Sequence, residues 1–284
     1  MKQKSNAREG LESVRRHYLI ERELADLLRS ASADDRKGLY RTVYNELFLR
    51  VPEHGQNTRK QDASALEARV KRQMRLLRRF LRPDAVYLEV GAGDCYLAMT
   101  IARQVRHVYA VDVSDVIAGS IPRPPNFDLI ISDGIAIDVP PASVQVAYSH
   151  MLLEHLHPDD AVLQLREVYK SIAPGGVYIC ITQHSVSGPH DVSKYFDPVA
   201  TGFHLKEYTY REIMSLFRSV GFKSITVWAR IKGRYLKVPR AGVLGIEVVL
   251  KRLPVRVQKF LARRLPLRLL FEDLIAIGHK GPKD

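Results

Sequence analysis

The feature that most limits what this chain can fold into is a short apolar run that ends in a Gly-x-Gly pair. Residues 85–90 are mostly apolar and too few for a core helix, which favours a buried strand. Gly91 and Gly93 follow at once, and glycine lets a backbone turn sharply and approach a ligand closely. Residues 95–102 are then apolar at helical spacing. A strand, a glycine turn and a helix in this order open a doubly wound α/β domain, which binds its ligand at the carboxyl end of the strand.

Two acidic residues and a missing glycine narrow the choice of ligand. The third glycine of the fingerprint G-x-G-x-x-G would fall at Tyr96, and a bulky residue there disfavours a pyrophosphate. Glu89 stands two residues before the first glycine, where its carboxylate would repel a pyrophosphate and attract a cation. A second predicted strand, residues 107–111, ends at Asp112, about twenty residues after the turn, where an acid can bind a ribose diol. These residues predict a ligand with an adenosine-like ribose and no phosphates.

From these residues onward the chain resembles the class I S-adenosylmethionine-dependent methyltransferases, and within them the small-molecule branch that includes the ubiquinone and menaquinone C-methyltransferases. The resemblance covers roughly residues 81–230. It is carried by Glu89-x-Gly91-x-Gly93, by Asp112, by Asp133-Gly134 after a third predicted strand, by Ser149–Leu156 after a fourth, and by Ala173-Pro174-Gly175-Gly176.

The resemblance implies an enzyme with S-adenosyl-L-methionine as methyl donor. It also implies an α/β fold with a doubly wound, seven-stranded, mostly parallel sheet of the Rossmann-like methyltransferase type. The cofactor-binding residues that it implies are Glu89, Gly91, Ala92, Gly93, Asp112, Asp133 and Gly134. Among these, Asp112 is expected on the ribose and the Asp133-Gly134 pair on the adenine, although Asp-Gly is also a common turn.

Two domains are predicted. Residues 1–82 form an N-terminal helical cap, and residues 83–284 form the methyltransferase domain, with residues 231–270 as a basic amphipathic insertion before the last strand. In the family, N-terminal helices cover the cofactor and help to shape the substrate pocket. By that resemblance the cap residues that line the pocket, or else pack between helices, are Tyr40, Tyr44, Phe48 and His54.

The net charge of +13 is concentrated in the two flanks of the predicted catalytic core. The cap, residues 1–82, carries +9; residues 83–230 carry −5; and residues 231–270 carry +10. An enzyme that reads RNA with its catalytic face would place positive charge around the pocket, so nucleic acid is not the expected acceptor. Flanking positive charge instead fits an anionic membrane, an anionic carrier, or nucleic acid held at a distance.

The insertion contains a predicted amphipathic helix after Pro254. Its apolar side carries Val257, Phe260, Leu261 and Leu265, while Arg256, Lys259, Arg263 and Arg264 lie mostly around the other side. Such a helix makes peripheral contact with an anionic membrane, or it packs as a cap on its own domain. No apolar run approaches the roughly 18 residues of a spanning helix, and no secretory signal is visible. With two cysteines in predicted core elements, we expect a cytoplasmic protein, with peripheral membrane association as the other possibility and no indication of an oligomeric state.

Histidines gather where the predicted strands end, at His150, His155, His157, His184, His190 and His204. Their spacing matches no zinc pattern, so no metal site is predicted. His190, in a polar loop after the fifth strand, is the preferred catalytic base with Asp191 as its orienting partner, against a role in loop hydrogen bonding. His155 is the second catalytic candidate, against a structural or pocket-lining role.

Transfer of a methyl group to an oxygen or carbon of a small-molecule, saccharide or lipid-linked acceptor is the predicted function. An RNA or protein methyltransferase is an alternative that the basic flanks favour, although residues 149–155 lack the Asn/Asp-Pro-Pro-Tyr sequence of amino-directed nucleic-acid methyltransferases. Another alternative is a non-catalytic cofactor-binding protein that docks to a membrane or a partner through those flanks. The bulky Tyr96 disfavours a nicotinamide oxidoreductase.

Overall fold

Three helices precede the sheet in the computed structural model, which describes residues 2–54, 63–114 and 122–282. They are α1 (Lys2–Ser30), α2 (Ala33–Arg50) and α3 (Ala63–Leu77). Helix α2 begins where it does because Ser32 Oγ accepts a hydrogen bond from the Asp35 N–H, 3.3 Å away. The negative charges of Asp34 and Asp35 in its first turn also stabilise the helix, because they lie near the positive end of the helix dipole.

The sheet has eight strands in the order β3-β2-β1-β4-β5-β8-β6-β7. The strands are β1 (Val86–Val90), β2 (His107–Asp112), β3 (Phe127–Ile131), β4 (Val144–His150), β5 (Ile172–Gln183), β6 (Ser224–Ile231), β7 (Arg234–Val238) and β8 (Asp273–His279). Strands β1 to β5 are parallel, and β8 runs antiparallel between β5 and β6. All five residues of β1 are buried, as expected for a parallel strand covered on both faces. The predicted doubly wound, mostly parallel fold is confirmed.

The predicted count of seven strands is wrong by one. The additional strand, β7, lies inside residues 231–270 and pairs antiparallel with β6 at the edge of the sheet. Lys232 and Gly233 form the two-residue connection, with φ of 49° and 77°. Positive φ at both central residues is typical of the tight turns that match the twist of a hairpin, so the chain folds back onto β6.

Helices cover both faces of the sheet. They are α4 (Tyr96–Ala102), α5 (Pro158–Ser171), α6 (Tyr210–Val220), α7 (Arg240–Lys251), α8 (Val255–Ala262) and α9 (Arg268–Phe271). Successive residues of a strand point to opposite faces, and β1 places Leu88 in one apolar cluster and Tyr87 in the other. The first cluster includes side chains of α1, α2, α5 and α6, whereas the second includes those of α3 and α4. The cap helices therefore pack against both faces of the sheet.

A buried ion pair joins α2 to the first turn of α5. The Arg36 guanidinium donates to Asp160 through Nε and Nη2, at 2.6 and 2.8 Å. The Tyr40 hydroxyl donates to the same carboxylate at 2.7 Å and accepts from the His157 N–H at 2.9 Å. Burial raises the pKa of Asp160, but the hydrogen bonds from Arg36 and Tyr40 outweigh it and lower the pKa overall. These contacts fix α2 over the carboxyl ends of β1 and β2.

Candidate functional site

A cavity of about 260 Å³ opens at the carboxyl ends of β1, β2 and β4. The neighbours of β1 in the sheet are β2 and β4, so the cavity lies at the point where the strand order reverses, which is the usual ligand site of open α/β sheets. The loops of the sheet contribute Glu89–Asp94, Val111–Ser114, Ser132, Gly134 and His150–Leu152, and the cap contributes Tyr40, Tyr44, Phe48, Arg69, Arg72 and Gln73.

The glycine turn after β1 is tied to the end of β2. The N–H groups of Gly91 and Ala92 donate to the Val111 carbonyl, at 2.8 and 3.2 Å. Gly91 has φ of +73° and Gly93 has φ of +54°, a region that side chains with a Cβ rarely adopt. A Cβ added to Gly93 would have no neighbour within 4 Å, so the turn leaves open space there for a ligand.

Asp112 is held by the backbone of this turn. Its Oδ2 accepts from the Gly93 N–H at 2.7 Å, and its Oδ1 accepts from the Ser114 N–H at 3.2 Å. Burial raises the pKa of Asp112, and these backbone hydrogen bonds oppose the rise. Each carboxylate oxygen retains a further lone pair, so the oriented side chain can accept two more hydrogen bonds from a pair of hydroxyls.

Glu89 has a buried carboxylate with one oxygen that lacks a hydrogen-bond partner. It is 6% exposed, and its Oε2 makes no hydrogen bond with the described residues. Burial and the charge of Asp94 raise the pKa of Glu89 to about 8, although Arg69 opposes the rise. A buried acid without a partner is costly, and a cationic group bound in the cavity would remove that cost. This arrangement fits the ammonium group of an amino-acid ligand.

Helix α3 lines the opposite wall with positive charge. Arg69 Nη2 donates to Asp94 Oδ2 at 2.5 Å, while Arg69 Nε is buried without a hydrogen-bond partner among the described residues. Arg72 lines the same wall, and no carboxylate of the described residues lies within ion-pair distance of it. Neither arginine was predicted from the sequence as a site residue. Their spacing of three residues on α3 is the signal that could have placed them together.

The Asp133-Gly134 pair forms a turn beside the cavity. Asp133 Oδ1 accepts from the N–H groups of Ile135 and Ala136, at 2.9 and 2.8 Å, and its side chain does not line the cavity. Gly134 does line it, and its φ of +95° and a Cβ position only 2.7 Å from Tyr40 require glycine there. The structure therefore brings the backbone of this pair, rather than the Asp133 carboxylate, to the cavity.

Two histidines of the predicted cluster, His150 and His155, line the cavity. His155 donates from Nδ1 to the Phe203 carbonyl at 2.9 Å; a carbonyl only accepts, so Nε2 carries the lone pair. Burial and the nearby His204 lower the pKa of His155 to about 3. Burial, Arg72 and Arg69 lower the pKa of His150 to about 4. Both rings are therefore neutral near pH 7, and each offers an acceptor nitrogen. His150, the last residue of β4, was named in the histidine cluster but was not predicted as a catalytic residue.

His190 lies away from the cavity, among the residues of its own loop. Its Nε2 is 2.9 Å from Ser187 Oγ and 3.2 Å from the His184 carbonyl, and its backbone N–H donates to Glu207 at 2.7 Å. Asp191 accepts from the Ser193 N–H at 3.1 Å and so caps a short 3₁₀ helix, residues 192–195. Both side chains therefore hold the loop together, which is the alternative that the sequence left open.

Of the four cap residues suggested by the resemblance, Tyr40, Tyr44 and Phe48 line the cavity and His54 does not. His54 lies near Glu21 and His17, and these three side chains hold potential ligand atoms within 4.8 Å of one another. Glu154, His155 and His204 form a second such group. Glu21 already accepts from His17 at 2.8 Å, and Glu154 from Thr182 at 2.7 Å. Hydrogen bonds within the chain therefore account for Glu21, whereas Glu154 Oε1 is buried without a hydrogen-bond partner among the described residues.

Residues 88–176, which include the glycine turn, β2 and the Pro-Gly-Gly sequence, match the model of a family described as a methyltransferase domain. No curated protein sequence matches the chain. The fold is similar to that of an S-adenosylmethionine-dependent methyltransferase from Archaeoglobus fulgidus, with a TM-score of 0.52 and 17% identity, over 75% of this chain and 94% of that one.

Two further solved structures share the fold. One is the 1,6-didemethyltoxoflavin-N1-methyltransferase of Burkholderia thailandensis with 1,6-didemethyltoxoflavin and S-adenosylhomocysteine bound, at a TM-score of 0.52, 18% identity, and 88% and 91% coverage of the two chains. The other is a chain of the complex between the Haloferax volcanii Trm112 methyltransferase activator and a methyltransferase. Its TM-score is 0.55 and its identity 15%, over 80% of this chain and 98% of that one. At such identities the similarity establishes the fold.

Proposed function

We propose that this chain, which contains a class I S-adenosylmethionine-dependent methyltransferase domain, transfers the donor's methyl group to an oxygen or carbon of a small acceptor held under the helical cap. The class I methyltransferase family, the enzyme class and the methyl donor predicted from the sequence are confirmed, whereas the small-molecule branch of the family stays a prediction. The observation that carries the proposal is the pair of acids in one cavity: Glu89, buried with its Oε2 lacking a hydrogen-bond partner among the described residues, and Asp112, oriented by two backbone N–H groups.

The residues present fit the donor at both of its ends. Asp112 accepts from the ribose hydroxyls, and the carboxylate of Glu89 pairs with the ammonium group of the methionine part. Arg69 and Arg72 bind the carboxylate of the same part, since a guanidinium suits a carboxylate in charge and geometry. The backbone at Ser132 and Gly134 contacts the adenine. Gly93 lets the chain pass close to the donor because it has no side chain there.

S-adenosylmethionine, when bound, supplies an electrophilic methyl group on a positively charged sulfur. Residues of the chain hold the acceptor in line with that carbon–sulfur bond, and orientation of this kind contributes most of the acceleration. When bound, the donor would give its methyl carbon to the acceptor atom, and the sulfur would keep the electron pair of the broken carbon–sulfur bond. The unprotonated Nε2 of His155 accepts a hydrogen bond from the acceptor group and orients it toward the methyl carbon, and the low pKa of that ring leaves the acceptor's proton to pass to solvent.

Aromatic side chains of α2 support a small acceptor. Tyr44 lies with its ring centroid 4.9 Å from that of Phe203 and 6.1 Å from that of His155, and Phe48 extends the same wall. A cavity of about 260 Å³ beneath this wall lies just below the range of small-molecule sites, roughly 300–1,000 Å³. The Burkholderia thailandensis methyltransferase, whose solved structure holds 1,6-didemethyltoxoflavin, provides a small-molecule precedent on the same fold.

An RNA or protein acceptor is the second candidate, because both flanks of the core are basic. Incubation of the protein with donor labelled in its methyl group and with separated small-molecule, RNA and protein fractions of a cell extract distinguishes the two. We expect label in the small-molecule fraction with the wild type and none with Asp112→Ala. Label that appears in the RNA or protein fraction would replace the proposed acceptor class, and absence of label from every fraction would count against methyl transfer.

A further inference from the structure

The short helix α8 turns its apolar side to solvent. Three of the four residues assigned to that side are strongly exposed: Val257 at 44%, Phe260 at 58% and Leu265 at 72%. Two neighbouring residues, Val249 and Val255, are exposed as well. A helix that packed as a cap on its own domain would bury this side. The structure therefore disfavours the packing alternative at these positions.

The exposure is not the result of a loosely attached helix, because the other side of α8 is anchored. Gln258 Nε2 donates to the Val186 carbonyl at 3.2 Å, and Arg263 Nε donates to the Ser187 carbonyl at 2.8 Å. Lys259 donates to the Pro198 carbonyl, and Ala262 is fully buried. These contacts hold α8 on the loop that follows β5 and present the apolar side chains outward.

Positive charge surrounds the exposed apolar side chains. Lys251, Arg252, Arg256 and Arg264 are exposed, and no carboxylate of the described residues lies within ion-pair distance of any of them. The Arg264 guanidinium lies 4.9 Å from the centroid of the Phe260 ring. The single acid of residues 231–270, Glu247, is buried and accepts from His184 and from the Tyr210 N–H, so it does not offset this charge.

These residues together form what we call the α8 surface. Its members are Val249, Lys251, Arg252, Val255, Arg256, Val257, Phe260, Arg264 and Leu265. We propose that the α8 surface docks the protein on an anionic lipid bilayer, with the apolar side chains in the boundary between head groups and acyl chains and the cations against lipid phosphates. The contact is peripheral, since no helix of the described residues is long and apolar enough to cross a membrane.

Charge argues against a second copy of this chain as the occupant. A twofold interface would place the same surface of two copies face to face, and this surface carries only positive charge. Like charges at such an interface would repel, whereas lipid phosphates neutralise the cations. The proposal is independent of methyl transfer and concerns only where the protein resides.

Vesicle sedimentation with the full-length chain tests the proposal. We expect the wild type to pellet with vesicles of phosphatidylcholine and phosphatidylglycerol, and to stay in the supernatant with phosphatidylcholine alone. The apolar double variant Phe260→Ser with Leu265→Ser, and the charge variant Arg256→Glu with Arg264→Glu, should each lower the bound fraction at least about tenfold.

Matched controls change exposed residues on other elements. Leu19→Ser with Leu163→Ser alters exposed leucines of α1 and α5, and Arg166→Glu with Arg218→Glu alters exposed arginines of α5 and α6. We expect both controls to pellet like the wild type, and every variant to keep the wild-type melting temperature. A wild type that stays in the supernatant, controls that lose binding equally, or a wild-type dimer that Phe260→Ser with Leu265→Ser makes monomeric would each overturn the proposal.

Discussion

Protonation of Glu89 should control the affinity of the cavity for its donor. Burial and the charge of Asp94 raise the pKa of Glu89 to about 8, so the free protein carries mostly the neutral acid at lower pH. An ammonium group pairs with the carboxylate form and not with the neutral acid. Binding therefore releases a proton below the pKa, and we expect the affinity to fall as the pH is lowered.

The size of this effect follows from the pKa. With a pKa of about 8, the charged fraction of Glu89 is about 1% at pH 6 and about 24% at pH 7.5. The association constant should therefore fall roughly 25-fold between these pH values, which corresponds to about 1.9 kcal/mol. The interval ends at pH 7.5 because an α-amino group begins to lose its own proton at about pH 7.7 to 8.0.

Isothermal titration calorimetry with S-adenosylhomocysteine measures this linkage directly. Repeating the titration in buffers of different ionisation enthalpy should show release of about one proton per bound ligand near pH 6.5. We expect Glu89→Gln to bind more weakly at pH 7.5 and to lose the pH dependence. Glu67→Gln, which alters an exposed acid of α3, should keep both the wild-type affinity at pH 7.5 and the pH dependence. Equal wild-type affinity at the two pH values, with no proton release, would refute the reasoning.

Three further predictions concern the site and the attachment of the cap. Asp112→Ala should abolish the rise in melting temperature that S-adenosylmethionine produces in the wild type, because two charge-assisted hydrogen bonds to the ribose are lost; a full rise would contradict the ribose role. His155→Ala should lower kcat about 10²-fold while cofactor binding is kept, because the acceptor loses its orienting hydrogen bond, whereas His190→Ala should have a smaller effect; equal losses in steady-state assays would argue against an orienting role for His155. Asp160→Ala leaves Arg36 buried without its partner and should lower the free energy of unfolding in urea by about 3–5 kcal/mol. The lowered pKa of Asp160 means that its contribution is present above the unfolded pKa of about 3.9 and is lost as the pH falls further, so wild type and variant should converge in acid.

Much of the donor site follows from local sequence, and the structure brings those residues together. The run from Ala85 to Gly93 folds as a strand and a turn because glycine alone readily adopts the positive φ of Gly91 and Gly93. Asp112 reaches the same cavity because the carboxyl ends of adjacent parallel strands meet at one edge of the sheet. Spacing along the chain was therefore sufficient to predict that Glu89, the glycine turn and Asp112 meet at one cavity.

Which of the two candidate histidines lines the cavity depended on tertiary structure. His155 follows β4 and His190 follows β5, and these two strands are parallel neighbours in the sheet. Only the fold shows that the Phe203 carbonyl orients His155 toward the cavity, while Ser187 and the His184 carbonyl hold His190 within its loop. The direction of a loop side chain depends on partners that are distant in sequence, and residue type and spacing do not specify them.

The sequence by itself determined the fold class, the donor-binding turn and the charge of each segment, because each depends on residue types at short separations. Only tertiary structure decided that Arg69 and Arg72 line the cavity, that β7 extends the sheet and that α8 exposes Phe260. Amphipathic periodicity predicts that a helix has an apolar side, but not what covers that side. Burial is a property of the whole assembly of elements, so it became known only when the complete fold was available.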